Sequence, residues 1–384
     1  MNRIGDPART PRYIELDSLR GLAALTVVLY HLALLWVQNT RHTPTIELTR
    51  DLPFGTESVM LFFVLSGFVL ALPAIGGRPQ SYFTFAIRRI FRIYVPYLAA
   101  LAVSVAGAYW LHGLVTTSDW FNMSWSEPVD WRLVGQHVLF LGAYPTDQFD
   151  NPIWSLVQEM RISLIFPVLC ALVLRLKSRW SFAIAGGLAA TAFACSRLPI
   201  LKDWHIQDSF HFAGLFVLGI VLAREKDRLG AWFLRFPRSA RFLIGGVCLW
   251  LYLLAGPELT KAAEFLFPHD LLTTSHWLTA FGAGGIMIVS LNSAWCRKIL
   301  NWAPMRFLGK ISYSLYLWHI VVMLYCVHLL YGRMPIGAIL GIVLVLVFPV
   351  SWCSYRWIEL PSITLGRKLS DIRMTRKMKE QVLG

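Results

Sequence analysis

An arginine and a histidine stand eleven residues apart in one apolar stretch, Arg20 and His31 within LDSLRGLAALTVVLYH at 16–31. Coiled as a helix, the stretch puts both on one face, three turns and about 16 Å apart along the axis. A charge buried that deep costs roughly 2.5–3.5 kcal/mol, so such a group should face a cavity or a partner. A histidine there suits general-base chemistry, taking a proton from an acceptor hydroxyl. It also suits a neutral hydrogen bond to a neighbouring helix, with Arg20 snorkelling to the headgroups.

Three further clusters carry polar chemistry. In AIRRIFRIYVPY (86–97), Arg88, Arg89 and Arg92 open an apolar run. Arg88 and Arg92 are one turn apart, and a fork of guanidinium groups suits phosphate. Basic residues at the inner end of a span also serve as topology signals or lipid contacts. In NPIWSLVQEM (151–160), Glu159 enters a span and needs a partner there, while Arg161 is too near in sequence to face it. In ISYSLYLWHI (311–320), His319 lies about 12 Å into its helix, a depth comparable with that of His31. Interhelical hydrogen bonding and catalysis account equally well for that last cluster. Trp120, Trp125 and Trp131 crowd one loop, suited to stacking on a sugar or to burial at the membrane interface.

These residues are held by a chain of membrane composition. Of 384 residues, 56% are hydrophobic and only 15% charged, against about 25% charged in soluble domains. Ten apolar stretches fit spans: 19–38, 58–75, 93–113, 155–175, 181–196, 210–223, 241–256, 275–292, 311–331 and 336–358. Leu19 onward reads as a retained first span rather than a cleaved signal peptide. The patch at 137–144 is too short to cross and reads as re-entrant or interfacial. The expected fold is an all-α polytopic bundle of about ten transmembrane helices, both termini cytoplasmic. Its parts are a tail at 1–18, a bundle at 19–360 and a basic tail at 361–384. With that orientation, 26 of the 36 Lys and Arg fall on the cytoplasmic side and 7 outside, as the positive-inside rule requires. The net charge of +14 therefore reads as topology, not as nucleic-acid binding. The six cysteines form no metal spacing and suggest no disulfide framework. HExxH, GxxxxGK[ST], DxDxDG and GxSxG are all missing, so no metal site, P-loop or nucleophile elbow is indicated.

Six stretches in order resemble the acyltransferase 3 family of integral-membrane O-acyltransferases. LDSLRGLAALTVVLYH resembles its first-span Arg and His separated by ten residues. VMLFFVLSGFVL (59–70), RRIFRIYVPY, NPIWSLVQE, LGKISYSLYLWH and YRWIELP (355–361) resemble further family motifs. The resemblance implies transfer of an acyl group, commonly acetyl, from cytoplasmic acyl-CoA to a hydroxyl of a glycan such as exopolysaccharide or lipopolysaccharide. It implies a multi-pass protein of the plasma (inner) membrane, with no permanently bound cofactor and acyl-CoA as donor substrate. His31 would be the catalytic histidine and Arg20 its motif partner. Glu159 and His319 match motif positions, and Arg88, Arg89 and Arg92 match the stretch that would hold the CoA phosphates. The family's second-span Asp is Met60 here, with Glu57 three residues earlier. No outer hydrolase-like domain is appended, which implies direct handoff or a separate acyl-handling partner protein. Two other readings are a proton-coupled transporter or flippase, and an acyltransferase acting on a small-molecule or lipid acceptor. An inverted repeat or paired broken helices would favour transport, and neither is visible.

Overall fold

The computed structural model describes residues 12–41, 55–140, 142, 144–198, 205–254 and 271–383. Helix α1 runs Ile14–Arg41, α2 Gly55–Ile75 and α3 Tyr82–Leu111. A short 3-10 turn, Phe121–Met123, precedes α4, Trp131–Leu139. Then come α5, Ile153–Arg175, α6, Ser178–Ser196, α7, Ile206–Leu234, and α8, Arg238–Leu253. The chain continues with α9, Leu271–Asn292, α10, Ala294–Leu300, α11, Ala303–Leu330, and α12, Ile336–Ser354. A π-turn, Tyr355–Glu359, leads into α13, Leu360–Leu383. Among the described residues regular structure is all helical, apart from one isolated bridge between Tyr331 and Met334. In hydrocarbon that is expected, because a helix satisfies its own backbone.

Each of the ten apolar stretches lies mainly in a helix over its described residues, but they are not equal. Among the described residues seven helices are long and apolar enough to cross a membrane. The 275–292 stretch qualifies together with α10, across a bend of 94°. The 181–196 stretch lies in α6, whose apolar part, Trp180–Ser196, is shorter. The 241–256 stretch gives α8, of 16 residues, and ends where the described residues stop. Of the 137–144 patch, 137–139 finish α4, and 141 and 143 lie outside the described residues. Local chemistry sets the breaks. Ser81 caps α3 by accepting from the Thr84 amide, and Ser293 caps α10 by accepting from the Cys296 amide. Gly77, at φ 73°, closes the end of α2 in the left-handed region that glycine adopts freely.

Two apolar cores result. One gathers α1, α3, the start of α5, α11 and α12 with residues of the loop between α3 and α5. The other gathers the start of α1, α2, the rest of α5, α7 and α9. Helices α1 and α5 contribute to both, and Leu22 and Phe62 pack against both. Each core holds a helix pair brought into backbone contact by glycines on both partners, and Gly282 of α9 also meets the α8 backbone at Tyr252. Gly21 and Gly309 let α1 lie directly on α11, and Gly67 and Gly219 let α2 lie on α7. A methyl group at any of the four would collide with the facing backbone. The polar residues collect along the seam between the cores.

Candidate active site

His31 and His319 meet. The two are 288 positions apart in sequence, yet Nε2 of His319 lies 3.0 Å from Nδ1 of His31. Both are buried, at 9% and 2% exposure. Nδ1 of His319 faces the Tyr316 carbonyl at 2.7 Å. A carbonyl only accepts, so His319 carries its hydrogen on Nδ1 and presents a bare Nε2. Nδ1 of His31 must then donate to it. The Val27 carbonyl also bonds the His31 ring. This tautomer, assigned from the hydrogen-bond network, leaves Nε2 of His31 as the lone-pair nitrogen. Trp120 stacks on the ring with centroids 5.1 Å apart and planes 14° apart. Below, the Tyr316 hydroxyl lies 2.7 Å from Ser155 Oγ and donates to the Pro152 carbonyl at 3.3 Å. The NPIWSLVQE and SYSLYLWH stretches are thus joined beside the histidines.

Three turns away along α1 is a charged cluster. Arg89 forms an ion pair with Glu159 and donates through Nε to Ser163 Oγ at 2.9 Å. Ser66 donates to Glu159 at 3.1 Å. The partner that Glu159 needs is therefore Arg89, with α2 adding a hydroxyl. Glu359, brought inward by the π-turn and 3% exposed, accepts from Ser314 at 2.8 Å. Arg20 keeps only a 3.5 Å contact with Asp17. Arg92 lies within electrostatic reach of Arg20, Arg89 and Glu359. It makes no hydrogen bond or ion pair within the described residues. Arg88 turns elsewhere, bonding Ser370 at 2.9 Å and Asp371 at 2.8 Å on α13. The one-turn spacing of Arg88 and Arg92 does not give them a common partner; Arg92 instead shares its surroundings with Arg20.

The loop between α3 and α5 is a structured lid on this column. Trp125 is fully buried, its ring wedged against Gly107 and its Nε1 donating to Ser104 at 3.1 Å. Trp120 is buried against His31, while Trp131 is 65% exposed. Of the three tryptophans, two therefore serve packing. His137, buried in α4, contacts the Tyr97 hydroxyl at 3.2 Å and the Pro145 carbonyl at 3.2 Å, and burial lowers its pKa to about 4. Burial also holds the Asp150 carboxyl well above the usual carboxylate range. Among the described residues its Oδ1 finds no hydrogen-bond partner. Met60 is fully buried in the apolar core. Glu57, one turn nearer the loop, lies within electrostatic reach of Tyr30 and Tyr252. Sequence reading did not foresee Trp120 as a base-stacking group, Ser66 or Ser163; serines in apolar helices carry no distinguishing signal.

Comparison with known proteins agrees with this architecture. A family model described as an acyltransferase domain matches residues 13–356. A Komagataeibacter xylinus protein that carries the name of a membrane-bound transacylase, BcsY, is 27% identical over 90% of this chain and 81% of its own length. The peptidoglycan O-acetyltransferase OatA of Listeria monocytogenes is 22% identical over 92% of this chain. The chain spans 57% of OatA's length. No solved structure matches. With seven membrane-capable helices among its described residues, the chain belongs to the acyltransferase domain family and is a multi-pass membrane O-acyltransferase.

Proposed function

We propose that the protein moves an acyl group, acetyl foremost, from cytoplasmic acyl-CoA to a hydroxyl of a glycan presented from the far side of the plasma (inner) membrane. The observation that carries the reading is the His31–His319 pair, whose hydrogen-bond pattern leaves Nε2 of His31 free to take a proton. In this mechanism the acceptor hydroxyl gives its proton to His31 Nε2 as its oxygen attacks the thioester carbonyl. The carbon–sulfur bond breaks, and the departing thiolate recovers that proton from His31 as free CoA. His319 holds the imidazole in register throughout, by accepting from Nδ1.

Arg20 and Arg92 receive the donor's phosphates, because theirs are the guanidinium groups left with donors to spare. Arg89, committed to Glu159 and Ser163, holds the cluster in place. The distance along α1 from Arg20 to His31, about 16 Å, suits the pantetheine arm that separates phosphates from thioester. The relatives' names support an O-linked glycan acceptor, one being called a peptidoglycan O-acetyltransferase. The test is acetyl transfer from labelled acetyl-CoA to membrane glycan. His31→Ala should lower transfer by about 10²–10⁴-fold with insertion unchanged. Full activity in a well-inserted His31→Ala protein overturns the mechanism.

A further inference from the structure

The π-turn has two sides, and only one faces the charged cluster. Glu359 points inward to Ser314. Arg356, three residues earlier, is exposed on the opposite side, beside Trp357 at 72% exposure. From there a groove of about 370 Å³ runs onto α13, lined by Arg356, Leu360, Pro361, Thr364, Leu365 and Lys368. The spacing follows a helix surface, with cations at either end and a mainly apolar floor between them.

We propose that this groove binds an anionic phospholipid, drawn in by the field of Arg356 and Lys368 together, its phosphate held at one of these two cationic ends and an acyl chain laid along Leu360 and Leu365. Three observations select that occupant. Neither cation has a hydrogen-bond or ion-pair partner within the described residues, and no carboxylate lines the groove. The acids nearby are committed elsewhere, Glu359 to Ser314 and Asp371 to Arg88. The floor is mostly hydrocarbon, which a free phosphate or nucleotide would leave wet and a lipid tail would cover. Trp357 marks the headgroup level, where exposed indole rings settle.

A lipid site of this kind is independent of acyl transfer and is tested without it. The full-length protein is purified in detergent with equal phosphatidylglycerol and phosphatidylcholine, and retained lipid is counted by native mass spectrometry. The wild type should retain phosphatidylglycerol preferentially. Arg356→Gln with Lys368→Gln should lose roughly thirtyfold of that preference. Both side chains are exposed, so folding should survive, and the charge-keeping Arg356→Lys with Lys368→Arg should retain the lipid. A control pair, Lys298→Gln with Arg306→Gln, removes the same charge from α10 and the start of α11 and should retain it too. Unchanged preference in the Gln pair, equal loss in the control, or displacement of phosphatidylglycerol by acetyl-CoA would each overturn the proposal.

Discussion

His319 fixes the proton on His31 only because it accepts at Nε2. His319→Gln, whose amide oxygen can accept in place of Nε2, should therefore keep more turnover than His319→Ala, by about tenfold in kcat. Equal losses would assign His319 to packing alone. The arginines separate in the same way. Arg92→Ala should weaken acyl-CoA binding by about 1.5–3 kcal/mol, the worth of a charge-assisted hydrogen bond. Arg88→Ala should weaken it less, because Arg88 is engaged by Ser370 and Asp371. Calorimetric titration ranks the two, and the reverse order would return the donor site to the Arg88 end. His137 and Asp150 predict opposite pH responses. The folded protein keeps His137 neutral down to about pH 4, while an unfolded histidine takes a proton near 6.5. Its contribution to stability is full above 6.5 and is lost as pH falls toward 4. Asp150 keeps its proton above the usual carboxylate value, so its contribution is full at low pH and is lost as pH rises. Asp150→Asn, which imitates the neutral acid, should raise the melting temperature at pH 7–8 and not at pH 4. Thermal melts in detergent across pH 4–8 measure both effects. At this scale the sequence makes the depth of Arg20, His31 and His319 readable, because depth follows from counting turns. Which groups meet is set by tertiary packing across hundreds of residues, and the Arg88–Arg92 spacing points to a neighbour that the fold does not supply.

The helices themselves were readable because hydrocarbon leaves the backbone so few alternatives. Each of the ten apolar runs is mainly helical over its described residues. Length alone could not show the 94° bend at Ser293, whose side chain restarts the chain as α10. Nor could it show the π-turn, whose extra residue turns Glu359 inward while Arg356 stays outside. A single inserted residue in a helix changes facing without changing composition, and hydrophobic periodicity is blind to it over so short a span. The loop between α3 and α5 differs again. Its tryptophans suited sugar stacking or burial, and burial governs two of them. Trp125→Ala should cost about 3–5 kcal/mol, as for other buried aromatic truncations, and should loosen the loop that presses Trp120 onto His31. Limited proteolysis near 113–130 reads that loosening directly. A loop no more sensitive than the wild type would show that Trp125 does not anchor it.

Across the whole molecule the proposed donor route requires the Arg20 end in the cytoplasm and the tryptophan loop outside, the orientation that the ten-span charge sorting, 26 basic residues against 7, leads one to expect. Single cysteines at Glu127 and Ser239, both exposed, test this in a background lacking the six native ones. A membrane-impermeant thiol reagent should label Glu127→Cys in intact cells and Ser239→Cys only after permeabilisation. The opposite pattern would reverse the route by which donor and acceptor approach. The glycine contacts add a mechanical consequence. Where α1 lies on α11 and α2 on α7 there is no slack, since backbone already touches backbone. Each pair behaves as a stiff beam, with the His31–His319 contact inside the first, and compliance is left to the joint between them, where Arg89 of α3 and Glu159 of α5 sit. Amide hydrogen exchange should accordingly be slowest inside the two beams and fastest along their joint. A substrate too bulky for the resting gap would enter by parting the beams, without bending either one.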